Sequence, residues 1–152
     1  MGGDLMSAPE GKAPTFMVRT LRDPDNANLD RVQMVKGWLN ADGTTSEIVF
    51  DMACSDGREI VDHVCDGEVG NTVDVENATY TNTIGDPMLN VVWTDPDFDP
   101  TQRAFYYVRV LEIPKPTWQA HDAAYYGVAM DPEVPMFLQD RAYTSPIWYT
   151  PG

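Results

Sequence analysis

Arg103-Ala104-Phe105-Tyr106-Tyr107-Val108-Arg109-Val110-Leu111-Glu112-Ile113 is the clearest strand in the chain. Phe105, Tyr107, Arg109, Leu111 and Ile113 fall on one face and Tyr106, Val108, Val110 and Glu112 on the other, the two-residue period of β structure. Both faces are largely apolar, so the spacing predicts a strand near the centre of a sheet. Pro114-Lys115-Pro116 stops it, and the rigid acidic loop Asp95-Pro96-Asp97-Phe98-Asp99-Pro100 leads into it.

Working outward, Met88 to Thr94 is an apolar run ending in Trp93 and preceded by the turn Gly85-Asp86-Pro87. Ala13 to Leu21 alternates as a strand, closed by Asp23-Pro24-Asp25-Asn26. Leu29 to Leu39 fits both a helix, through Leu29, Val32 and Val35, and a half-buried strand. The strand is favoured, because the turn Asn40-Ala41-Asp42-Gly43 and the β-rich run Thr45 to Asp51 complete a hairpin. Cys54 to Gly70 is polar and glycine-rich, a surface excursion, and Thr72–Val75 and Ala78–Thr81 read as short strand material. From Pro116 to Pro135 the chain reads as irregular, followed by a short helix or turn over Met136 to Arg141. Tyr143 to Tyr149 reads as a last strand, broken by Pro146 and therefore suited to an edge. The expected class is mainly β: an antiparallel β-sandwich with long irregular loops and little helix, residues 13–152 forming one domain and residues 1–12 an N-terminal extension.

The 152 residues, 43% of them apolar, can fill one core, and 12 prolines and 11 glycines spread along the chain suit short strands joined by turns. A net charge of −14 opposes phosphate backbones and anionic membrane surfaces, so neither nucleic acid nor membrane is an expected partner. No apolar run is long enough to span a bilayer, and Met1 to Leu5 lacks the pattern of a signal peptide; a periplasmic or secreted location is expected only with a signal peptide further upstream. Cys54 and Cys65 are the only cysteines. With no oxidising compartment established, two free, partly buried thiols are favoured over a disulfide, which the spacing also permits.

Asp23, Asp25, Asn28 and Asp30 place four oxygen-bearing side chains within eight residues, a candidate site for Ca2+, though without the glycine and closing glutamate of an EF-hand loop. Asp95, Asp97 and Asp99 alternate similarly on a stiffer backbone. Two histidines, His63 and His121, stand outside any zinc-binding spacing, and no serine lies in a nucleophile-elbow context. An acid–base pair drawn from Asp95, Asp97 and Glu112 would need two carboxyl groups facing one cleft, roughly 5 to 9.5 Å apart for a glycoside. Trp93, Trp118, Tyr125, Tyr126, Trp148 and Tyr149 could line a carbohydrate groove, with core packing favoured for most of them.

Three stretches carry a resemblance: Met1 to Leu5; Asp23-Pro24-Asp25 through Asn28-Leu29-Asp30-Arg31-Val32-Gln33-Met34-Val35-Lys36-Gly37-Trp38; and Phe105-Tyr106-Tyr107-Val108-Arg109-Val110 with Thr144-Ser145-Pro146-Ile147-Trp148. With Val69 to Asp74 and Trp93 to Pro100, they make the chain similar to the C-terminal region of the bacterial domain-of-unknown-function family thirty-six-oh-four. The resemblance implies a longer protein whose N-terminal part is similar to the polymerase and histidinol phosphatase (PHP) superfamily, with a metal-dependent hydrolase activity located there. None of that part's ligands maps onto residues here. The implied role is a noncatalytic accessory module packed on an upstream PHP-like catalytic domain, able to self-associate as a homo-oligomer when separated from it. The alternative is a stand-alone ligand-binding or interaction module, for calcium or glycans.

Overall fold

The computed structural model describes residues 2–152. In chain order the elements are β1 (Gly3–Met6), β2 (Thr15–Leu21), β3 (Leu29–Leu39), β4 (Thr45–Cys54), β5 (Ile60–Val61), β6 (Val64–Cys65), β7 (Met88–Thr94), β8 (Ala104–Glu112), β9 (Lys115–Pro116), α1 (Trp118–Tyr126), β10 (Phe137–Leu138), β11 (Arg141–Tyr143) and β12 (Ile147–Thr150). The large sheet runs β1-β12-β8-β3-β4, with β11 also paired to β8, and β2 and β7 form a separate antiparallel ribbon. The chain is thus a mainly β, sandwich-like fold with one helix, as the alternation of its strands predicts.

β8 is central, with β3 on one side and β11 and β12 on the other. Its even residues, Ala104, Tyr106 and Val108, meet Val32, Met34, Phe50 and Tyr149 in the core. Phe16, Val18, Val91 and Trp93 of the ribbon close the core from the opposite layer. Leu29 to Leu39 is a strand and pairs with β4 as the expected hairpin, interrupted by an irregularity between Val32 and Gln33.

Four details depart from the sequence reading. Cys54 and Cys65 are joined in a disulfide, with Cα atoms 5.9 Å apart, rather than standing as free thiols. The residues between them fold into the β5–β6 hairpin, which turns back onto β4: the Asp51 amide donates to the His63 carbonyl at 2.7 Å, and the Cys65 amide donates to the Asp51 carboxylate at 2.8 Å. Thr72–Val75 and Ala78–Thr81 form only the bridge Asp74–Thr79, because their polar side chains are engaged in local turns. Met136 to Arg141 contributes β10 and the start of β11 instead of a helix. β12 is not an edge: Pro146 lies just outside it, so its missing N–H costs no ladder bond, and β1 pairs in parallel along the strand's free side.

Candidate interaction surface

The proposed calcium residues fall into two pairs. Asp23 and Asp25 are exposed in the β2–β3 turn, where the Asp25 amide donates to the Asp23 carboxylate at 3.1 Å. Asn28 and Asp30 are buried. Asn28 donates through its side-chain amide to the carbonyls of Asn82, Ile84 and Gly85, clipping that loop to the start of β3. Asp30 accepts from Arg58 and, at 2.8 Å, from Gln139, with the Arg31 guanidinium 3.7 Å away. The carboxylates of Asp23, Asp25 and Asp30 do not meet. Among the described residues the one ligand-type trio that converges is Asp51 with Cys54 and Cys65, whose sulfurs are bonded to each other.

The second acidic set is likewise divided. Asp95 is buried, accepting from Lys36 Nζ at 2.6 Å and from the Tyr106 hydroxyl at 2.7 Å, while Lys36 also donates to the Asp97 carbonyl at 2.7 Å. Burial, and next the hydrogen bond to Asp95, push the Tyr106 phenol well above its ordinary range. This triad ties β3, β8 and the β7–β8 loop together inside the core. Lys36 sits in β3 between Val35 and Gly37 and gives no local sign that an aspartate so far along the chain is its partner. Asp99 is half-buried, accepting from the Thr101 hydroxyl and amide, which lower its carboxyl. Glu112 faces Lys115 at 3.1 Å. His63 packs edge-on against Phe50, with ring centroids 4.8 Å apart.

The segment after β8 behaves differently. Lys115 anchors its base, with Nζ 2.6 Å from Asp140, 3.1 Å from Glu112 and 2.8 Å from the Asn26 side-chain oxygen. Burial by itself would lower this ammonium; the hydrogen bonds to Asp140 and Glu112 outweigh it and raise the pKa. β9 pairs with β10, and the Thr117 amide and hydroxyl donate to the carbonyls of Met136 and Pro135. Residues 118–126, read from sequence as irregular, then form α1. Thr117 caps its N-terminus by accepting from the Ala120 amide, and Gly127, at φ 64°, closes it in the left-handed conformation that glycine adopts without penalty.

This lobe covers little of itself. Ala120 is the only buried residue of α1, whereas Trp118, Tyr125 and Tyr126 are 68%, 83% and 68% exposed, and Val128, Phe137 and Leu138 are exposed beside them. Tyr125 and Tyr126 stack edge to face at 4.9 Å. A hollow of about 550 Å³ separates the His121–Asp122–Tyr125 side of the helix from Glu76 and Asn77. The helix thus leaves its large side chains unburied by its own domain. Of the six candidate groove aromatics, Trp93 and Tyr149 pack in or against the core, while Trp118, Tyr125, Tyr126 and Trp148 reach solvent.

No curated protein and no solved structure matches the chain. One family does, over residues 1–151, nearly the whole of the sequence. The chain therefore belongs to the family described as Protein of unknown function (DUF3604).

Proposed function

We propose that this chain is a noncatalytic accessory module of a PHP-like, metal-dependent hydrolase, and that the helical lobe is the face it turns toward the catalytic domain. The observation that carries the reading is the lobe itself: Trp118, Tyr125, Tyr126, Val128, Phe137 and Leu138 are solvent-exposed on a segment firmly fastened at its base by Lys115. Such a rigid apolar surface is what an interface between domains requires before its partner is seated. The acidic pairs point the same way, since Asp95 and Glu112 are held by lysines rather than directed together into a cleft.

The size of the native product tests this. An immunoblot of source cells with antibody against the chain is expected to show a band several times larger than 17.0 kDa. A band at 17.0 kDa would sink the reading and favour a stand-alone binding module. In the isolated chain, self-association through the uncovered lobe is expected, and Trp118→Glu with Tyr126→Glu should abolish it in sedimentation velocity.

A further inference from the structure

The large sheet has a second face, opposite the core, and it carries a continuous aromatic strip. Tyr143, Tyr107, Phe105 and Trp148 follow one another with ring centroids 6.2, 6.3 and 5.5 Å apart, and the rings of Phe105 and Tyr107 are parallel to within 6°. The alternation of β8 puts them there: Ala104, Tyr106 and Val108 point inward, which leaves Phe105 and Tyr107 outward. Trp148 and Tyr143 tilt from their neighbours by 56° and 46°, and Gly37 lets Phe105 lie close to the sheet. Gly37 pairs with Phe105 in register, and a Cβ at that position would sit 2.4 Å from the phenylalanine ring, so the ring rests on bare backbone. Trp148 and Tyr143 are 52% and 57% exposed.

Phe105 and Trp148 separate two adjoining hollows. One, of about 530 Å³, runs from these rings to Glu47, Arg103 and Thr150; the other, of about 320 Å³, runs to Tyr107 and Tyr143. The larger is within the size range of small-molecule sites. Glu47 and Arg103 are both exposed, and neither side chain has an ion-pair partner among the described residues. The rim therefore offers an acceptor and a set of planar donors that the fold itself does not use.

These features select a ligand class. A purely apolar occupant would desolvate Glu47 and Arg103 without pairing them. A lone anion would leave Glu47 unpaired and enter against a chain charge of −14, and a lone cation, though drawn by that charge, would leave Arg103 unpaired. A neutral, hydroxyl-rich ring with apolar C–H faces satisfies both halves of the site: its faces stack on the aromatic rings while its hydroxyls bond the rim. We infer that the strip is a binding site for a neutral oligosaccharide, with Phe105 and Trp148 as the shared platform and Glu47 and Arg103 fixing the hydroxyls. The site shares no residue with the helical lobe, so it stands or falls independently of the domain-docking role.

The test is isothermal titration of the intact, disulfide-bonded chain with cellohexaose, xylohexaose, mannohexaose, maltohexaose and chitohexaose, and with oligogalacturonate as the anionic control. At least one neutral hexasaccharide should bind. Trp148→Ala should weaken that binding about tenfold or more, the upper range for loss of one aromatic partner. Arg103→Ala, another change at an exposed side chain, should weaken it severalfold, and Trp118→Ala on the lobe should leave it unchanged. Near-ultraviolet circular dichroism verifies that each variant retains its packing. Binding by none of the neutral sugars, binding untouched by Trp148→Ala, or preference for oligogalacturonate would each overturn the inference.

Discussion

Replacing Lys36 with methionine isolates the energetics of the buried triad. The lysine side chain is 4% exposed and the Asp95 side chain 0%, and their charged atoms are 2.6 Å apart. Methionine keeps most of the volume and removes the ammonium. Asp95 then retains the Tyr106 hydroxyl at 2.7 Å and the Asp97 amide at 2.9 Å, but its charge has no counterpart, and the Asp97 carbonyl loses its donor. Breaking a buried pair in this one-sided way costs about 3–5 kcal/mol, a large share of the roughly 5–15 kcal/mol that stabilises a domain. With a urea slope of about 1.5–2 kcal/mol per molar, the unfolding midpoint falls by roughly 2–3 M. Tryptophan fluorescence reads the transition, since Trp93 packs against the same core. Adding Asp95→Asn to Lys36→Met removes the stranded charge and should restore about 1–3 kcal/mol, the coupling that a double-mutant cycle measures for groups in contact. A loss below about 1 kcal/mol in Lys36→Met, or a double variant no more stable than the single one, would refute the assignment of this triad as the tie between β3, β8 and the β7–β8 loop.

Reduction of the Cys54–Cys65 bond, or Cys54→Ser with Cys65→Ser, opens a loop of 11 residues and should cost about 3 kcal/mol on the chain-entropy relation, measurable as a urea-midpoint shift with and without dithiothreitol. Gly37→Ala drives a methyl into the Phe105 ring and should destabilise by about 1–3 kcal/mol while displacing the aromatic strip, seen as altered near-ultraviolet dichroism. Tyr106 supplies a pH dependence. Its folded pKa is raised above the ordinary value of 10.0, so above that pH the unfolded chain loses the phenolic proton while the folded chain keeps it, and stability falls as pH rises. The slope is up to about 1.4 kcal/mol per pH unit from this group, and Tyr106→Phe should remove that component from alkaline unfolding curves.

Strand alternation made the β-sandwich legible, because β2, β7 and β8 bury largely alternate residues, while β3, buried along nearly its whole length, was identified by the turn at Asn40 to Gly43 that completes the β3–β4 hairpin. α1 escaped for the converse reason. With Ala120 alone buried, it has no apolar stripe for periodicity to find, and only Thr117 before it and Gly127 after it signal a helix. The disulfide depends on a hairpin of two-residue strands whose register no local pattern specifies. Core packing was the favoured expectation for most of the six candidate groove aromatics, and Trp118, Tyr125, Tyr126 and Trp148 depart from it by reaching solvent; their division between a helical lobe and a sheet face follows from tertiary structure. Acidic spacing drew attention to Asn28 and Asp30; their actual partners, Ile84, Gly85, Arg58 and Gln139, come from segments distant in sequence.

The parallel pairing of Gly3–Met6 with Ile147–Thr150 has a practical side. Those first residues act as a cover strip along β12. A shortened version of the protein beginning at residue 13 would keep every fully buried core side chain, losing only Ala8 from the core's margin, yet leave a row of backbone donors and acceptors open to water beside the exposed Trp148. Such a seam invites a second molecule to add its own strand, so the trimmed protein should gel or precipitate even though its interior is intact.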